Sequence, residues 1–164
     1  MKKEKMNDKG FSLVELIIVI AIMAVLVVVL APQYLKYVER SRNSTDLQNA
    51  TAAVTACQVW AADPEANPSF TGGKKFEIAV TSSAGANVTG DNAEAAKAAL
   101  KSAAIDLDGL KCKSKSKWTA FTIKGDVTSE GEIKFTYTCT SEEGDSTFSD
   151  AMAGKTTTST ESGS

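Results

Sequence analysis

Apolar residues follow three rhythms along this chain, and each rhythm predicts a different element. From Leu16 to Ala31 every position is apolar. Counted from Phe11, the stretch spans 21 residues, about 32 Å as a helix, which matches a hydrocarbon core of about 30 Å. Length and composition therefore predict a membrane-spanning helix. A cleaved secretory signal would have a shorter apolar region and an A-x-A-like cut, whereas helix-competent sequence continues here past Ala31-Pro32. Leu47, Ala50, Val54, Cys57 and Ala61 then recur at intervals of three and four, the signature of one helical face. Leu35 and Val38 fall on another face. Pro64 and Pro68 end the pattern, giving a helix from Phe11 to about Ala62, roughly 78 Å long. Pro32 lies inside it, where it removes one backbone hydrogen bond and should kink or loosen the helix.

Beyond the prolines the period falls to two. Phe76, Ile78 and Val80 alternate with polar residues as in a half-buried strand. Asp91 followed by Glu94 resembles a capping box opening an alanine-rich helix to about Ile105. Two further strands, 117–124 and 131–139, are joined by a Gly/Asp turn, and Ile133, Phe135, Tyr137 and Cys139 share one face. The simplest architecture is α+β: a long N-terminal helix laid against a small antiparallel sheet. Five segments follow: 1–10, a polar leader; 11–31, the membrane half of the helix; 32–62, its amphipathic half; 63–154, the sheet domain; and 155–164, a Ser/Thr-rich tail expected to be disordered.

Charge sharpens this organisation. The 164 residues carry a net charge of −2, but the first ten hold +2, leaving −4 for the rest. So small a value does not suggest that the bulk domain binds nucleic acid. The absence of histidine removes the commonest general base and the commonest transition-metal ligand. No glycine loop of the phosphate-binding type and no pairing of nucleophile with base is present, so neither an enzyme nor a cofactor or metal requirement is expected. Lysines before the span, against Lys36, Arg40 and Arg42 after it, lean toward a cytoplasmic leader.

Glu15 interrupts the apolar run one turn from its start, with no Lys or Arg before Lys36 to pair with it. An ionised carboxylate at that depth needs a proton, a partner or a function. Gly10 precedes Phe11 and would give a protease open access to the backbone. A cut there would create an amine at Phe11, and staggered helices would then pair the carboxylate of one with the amine of the next. Mutual pairing offsets the cost of burying either charge.

These residues carry a resemblance. Lys9-Gly10-Phe11-Ser12-Leu13-Val14-Glu15-Leu16, followed by a long Ile/Val/Leu/Ala run and Pro32, resembles the amino terminus of a type IV prepilin. The match covers about 30 residues strictly and about 50 with the following helix. It implies cleavage after Gly10 by a membrane prepilin peptidase, N-methylation of Phe11, and Glu15 as the assembly carboxylate. It also implies the pilin fold and a homopolymer with itself and other pilins. An assembly platform and motor ATPase would draw the subunits from the cytoplasmic membrane into an extracellular filament. Such filaments serve motility or adhesion. The alternative is a pseudopilin of a type II secretion or DNA-uptake machine, whose Tyr-Pro-rich segment after the helix is not matched by 63–68.

Other features are less specific. Cys57, Cys112 and Cys139 allow three pairings. Pairing about the Gly/Asp turn would set Cys139 opposite residue 116 or so, which favours a Cys112–Cys139 disulfide over one using Cys57. The acidic group Glu142, Glu143, Asp145 and Asp150 has oxygen ligands for calcium but the spacing of a solvated loop. Lys111, Lys113, Lys115 and Lys117 likewise read as a solvated loop rather than a DNA-binding face.

Overall fold

The computed structural model describes residues 12–63, 70–140 and 146–154. Internal contacts define two compact units, Met1–Val38 and Glu39–Ser164. The described part of the first is the beginning of helix α1, which runs over Leu13–Ala61 and passes through Pro32 without a break in the helix. From Leu13 to Leu30 the large apolar side chains are 47% to 74% exposed. No described residue covers them, and length and composition again point to a membrane or to other helices as their surroundings.

The second unit is a helix-on-sheet domain. Its elements are the remainder of α1, β1 (Lys75–Thr81), β2 (Gly85–Thr89), α2 (Ala93–Ser102), β3 (Ala120–Val127), β4 (Ile133–Thr140) and α3 (Ser146–Met152). The four strands form an antiparallel sheet in the order β2-β1-β3-β4. The buried residues of α1 are Asn43, Asp46, Ala50, Ala53, Val54, Ala56 and Cys57, a three-four spacing that gives one face. It joins a core with Phe76, Ile78 and Val80 of β1 and Phe121, Ile123 and Val127 of β3. The expected α+β architecture is thus present, and Ile133, Phe135, Tyr137 and Cys139 do line one half-buried side of β4.

Four local expectations are corrected. The Gly/Asp turn is not a turn: β3 continues through Gly125 and Asp126 to Val127, and the chain reverses at 128–132. Gly125 lies opposite Phe76 in the sheet, and a Cβ there would sit 2.3 Å from the Phe76 ring, so the glycine makes room for an aromatic core residue. The register moves accordingly, and Cys139 faces Phe121 rather than residue 116. The 117–119 segment belongs to the preceding loop, and β3 begins at Ala120.

The Asp91/Glu94 capping box does not form. Asn92 occupies the N-cap position without a side-chain cap, and Asp91 instead meets Lys74 at 3.5 Å. The Asn92 amide is used elsewhere, accepting from the Thr71 N–H (2.9 Å) and donating to the Thr71 carbonyl (3.0 Å) as a paired strand residue would. Helix α2 also stops at Ser102, short of Ile105. The Ala104 N–H bonds the Lys101 carbonyl and the Ile105 N–H reaches back to Leu100, a Schellman arrangement. Its left-handed residue is Ala104, at φ 57°, where glycine is the usual choice.

Candidate functional site

Gly10 and Phe11 lie outside the described residues, so the geometry begins at Ser12. The Ser12 carbonyl accepts from the Leu16 N–H at 3.2 Å, and the Ser12 N–H donates to Oε2 of Glu15 at 2.9 Å. This is the returning half of a capping box: Glu15, three residues into the chain from Ser12, folds back over the helix start. The helix dipole favours an anion in this first turn. One N–H occupies one acceptor direction of a group that has about four, so the carboxylate retains capacity for a cation. Around it Leu13, Val14 and Leu16 are exposed hydrocarbon. Glu15 is thus a positioned acceptor at the end of an uncovered apolar helix.

A second carboxylate site, unforeseen in the sequence, organises the other unit. Asp46 has no exposed surface and lies on the core face of α1. It accepts from the Lys113 N–H at 2.7 Å, the Ser114 N–H at 2.9 Å and Trp118 Nε1 at 3.0 Å, with the Cys112 thiol at 3.3 Å. Burial of an anion is tolerable when its lone pairs are filled by donors in this way. Seven residues earlier on the helix, Glu39 accepts at Oε1 from the Lys115 N–H (2.7 Å), the Ser116 N–H (2.9 Å) and the Ser114 hydroxyl (2.9 Å). Burial alone would raise the Glu39 pKa, but the N–H and hydroxyl donors of 114–116 outweigh it and hold the group down to about 2. Two carboxylates thus fasten the loop 112–118 to α1, which is why 117–119 does not join β3.

The lysine run is the outward side of this fastened loop: Lys113, Lys115 and Lys117 are exposed while Cys112, Ser114 and Trp118 are buried. Trp118 packs edge-on against Phe148 of α3 at 5.2 Å, and Phe148 stacks on Phe121 at 4.9 Å. The signal for the fastening was in the chain. Continued backward from Cys57, the three-four spacing passes through Asp46, Asn43 and Glu39, polar residues set where apolar ones are expected.

The expected Cys112–Cys139 bridge is not formed: Cys112 keeps its thiol. Cys112 is committed to Asp46, and burial followed by the negative charge of Asp46 pushes its thiol up to about 12. Burial does the same for Cys57. Both are held protonated and inert. Among the described residues no three His, Cys, Asp or Glu side chains gather as a metal site; Glu142, Glu143 and Asp145 of the candidate calcium group lie outside them, and Asp150 is on α3.

A groove of about 700 Å³ between α1 and the end of α2 is lined by Leu47, Thr51, Thr55, Val59 and Ile105 among others. The Thr51 and Thr55 hydroxyls donate to the helix carbonyls four residues back.

Comparison with known proteins adds two findings. Residues 5–31 match the prokaryotic N-terminal methylation motif. A protein of Clostridium perfringens (strain 13 / Type A), prepilin peptidase-dependent protein A, is 32% identical over 106 residues, covering 63% of this chain and 72% of that protein. No solved structure matches.

Proposed function

The chain belongs to the family of prepilin-like, prepilin peptidase-dependent proteins of the type IV pilin and pseudopilin class, and from that premise we propose that it is a structural subunit of a type IV pilus. In this reading the peptidase cuts after Gly10, Phe11 becomes the N-methylated first residue, and the precursor is stored in the cytoplasmic membrane through 11–31. An assembly platform and motor ATPase then extract it into an extracellular filament made with further copies and other pilins. The observation that carries the reading is the seat of Glu15. Its carboxylate is held at the helix start by the Ser12 N–H, with acceptor capacity to spare, among side chains that only lipid or other apolar helices can cover. The Phe11 ammonium of a neighbouring subunit is a cation of the right kind for that acceptor. Pairing would set the stagger between adjacent helices, because an unpaired partner on either side would be a buried charge.

The thiols of Cys57 and Cys112 are raised, away from nucleophilic use, and the carboxylates of Glu39 and Asp46 are spent on holding the loop 112–118.

Mass spectrometry of the N-terminal peptide from fibres sheared off the cell surface tests the proposal. A peptide that starts at methylated Phe11 is expected. The processed peptide found only in membranes would favour the pseudopilin alternative, and an intact leader would overturn processing altogether.

A further inference from the structure

The lysine loop and α1 enclose a cleft of about 480 Å³ lined by Ser41, Arg42, Ser82, Lys111, Lys113 and Lys115, with Thr45, Cys112 and Ser114 completing it. Four cations on one small concavity repel one another, and an apo surface normally spreads or neutralises them. Lys74, Lys75, Lys97 and Lys124 of this unit, for example, each have a carboxylate within 2.8–3.9 Å. At the cleft, Lys111, Lys113 and Lys115 have none among the described residues. The two carboxylates bonded to this loop cannot serve. Asp46 is fully buried and filled by N–H donors, and Glu39 gives one oxygen to the loop amides and the other to Arg42 at 3.4 Å. The same bonds fix the backbone from which the lysines project, so the cations are held in place by a rigid floor.

We propose that this cleft binds a phosphate group, supplied by the headgroup of an anionic lipid or by free phosphate. Arg42 supplies a guanidinium fork suited to phosphate oxygens, the lysines supply point charges, and Ser41 and Ser82 supply hydroxyl donors. A nucleic acid would be held differently. Trp118, the aromatic of this loop, is 3% exposed and gives no base a stacking platform, and the cations enclose a pocket rather than follow a strand. Ser41 follows the apolar run by ten residues, which span at most about 35 Å however they are folded, so lipid headgroups are within reach while that run is in a bilayer. The lipid source rests on the membrane-stored precursor; the phosphate site itself does not.

The full chain is reconstituted in phosphatidylcholine nanodiscs with and without 30% phosphatidylglycerol, and lipids retained on the protein are counted by native mass spectrometry. In a second arm the chain in zwitterionic micelles is titrated with inorganic phosphate, following the amide signals of Ser82 and Ser114. Each arm is repeated with the triple variant K111Q/K113Q/K115Q and with the control K74Q/K75Q. The expected result is one phosphatidylglycerol retained in preference to phosphatidylcholine, weakened at least ten-fold in the triple variant and unchanged in the control. Phosphate shifts without lipid preference would keep the site and assign it to free phosphate. Equal retention of both lipids together with no phosphate shift, or binding indifferent to the triple substitution, would overturn the proposal. So would tighter binding of a short DNA duplex than of either phosphate source. Circular dichroism of the triple variant shows that it is folded, since the substituted side chains lie at the surface of the cleft.

Discussion

The two portions of α1 solve opposite problems. Before Val38 the large apolar side chains are uncovered; after Glu39 the buried residues are small or polar, Ala50, Ala53, Ala56, Val54 and Cys57 with Asn43 and Asp46. Large residues suit a helix that must find hydrocarbon elsewhere, because each adds transfer free energy when covered. Small residues suit a helix that lies close against its own sheet and gains from packing instead. The carboxylates differ in the same sense. Glu15 receives one local N–H and keeps capacity for another donor, whereas Asp46 receives three nitrogen donors and a thiol. One half of the helix leaves its apolar surface and its carboxylate open among the described residues, and the other has its buried carboxylate filled by donors.

The contrast is most easily broken at Asp46. Asp46→Ala strands two loop N–H groups and the Trp118 indole in the interior, and should destabilise the second unit by about 3–5 kcal/mol in urea unfolding followed by tryptophan fluorescence. Glu15→Ala tests the other half. It should lower the stability of that unit by less than about 0.5 kcal/mol and leave cleavage intact, while surface fibre falls at least ten-fold by shearing and immunoblot. Normal fibre from this variant would remove the pairing argument.

Acid sharpens the comparison further. The Glu39 pKa is lower in the folded chain than its ordinary value of 4.5, so its contribution is complete above about pH 4.5 and is lost as pH falls through about 2. Glu39→Gln should flatten that part of the stability profile between pH 5 and 2, measured by thermal unfolding in micelles. The smallest effect is a gain. Ala104→Gly relieves a left-handed alanine at the end of α2 and should raise stability by about 0.5–1 kcal/mol.

Periodicity made the helix, the strands and their inward faces legible, because burial of apolar side chains imposes the pattern directly. It located Glu15 for the converse reason, as a charge where the pattern forbids one. What escaped lies in short segments or depends on contacts between distant residues. Strand β2 carries Ala86 and Val88 in a five-residue segment too short to set a rhythm, and α3 is anchored mainly by Phe148. The Gly125-Asp126 pair reads locally as a turn and is overruled by the Phe76 ring across the sheet. Glu39 and Asp46 fall on the apolar spacing of the helix, but their partner, the loop 112–118, arrives from roughly 70 residues away.

The seven-residue interval between those two carboxylates has a consequence of its own. Two helical turns bring Glu39 and Asp46 to nearly the same azimuth, about 10.5 Å apart along the axis, and the loop reads both at once. Deleting one residue between them would rotate one grip by about 100° against the other, so the loop could satisfy one carboxylate or the other but not both. That interval works as a gauge: the helix tolerates exchanges of side chain within it, but not a change in count.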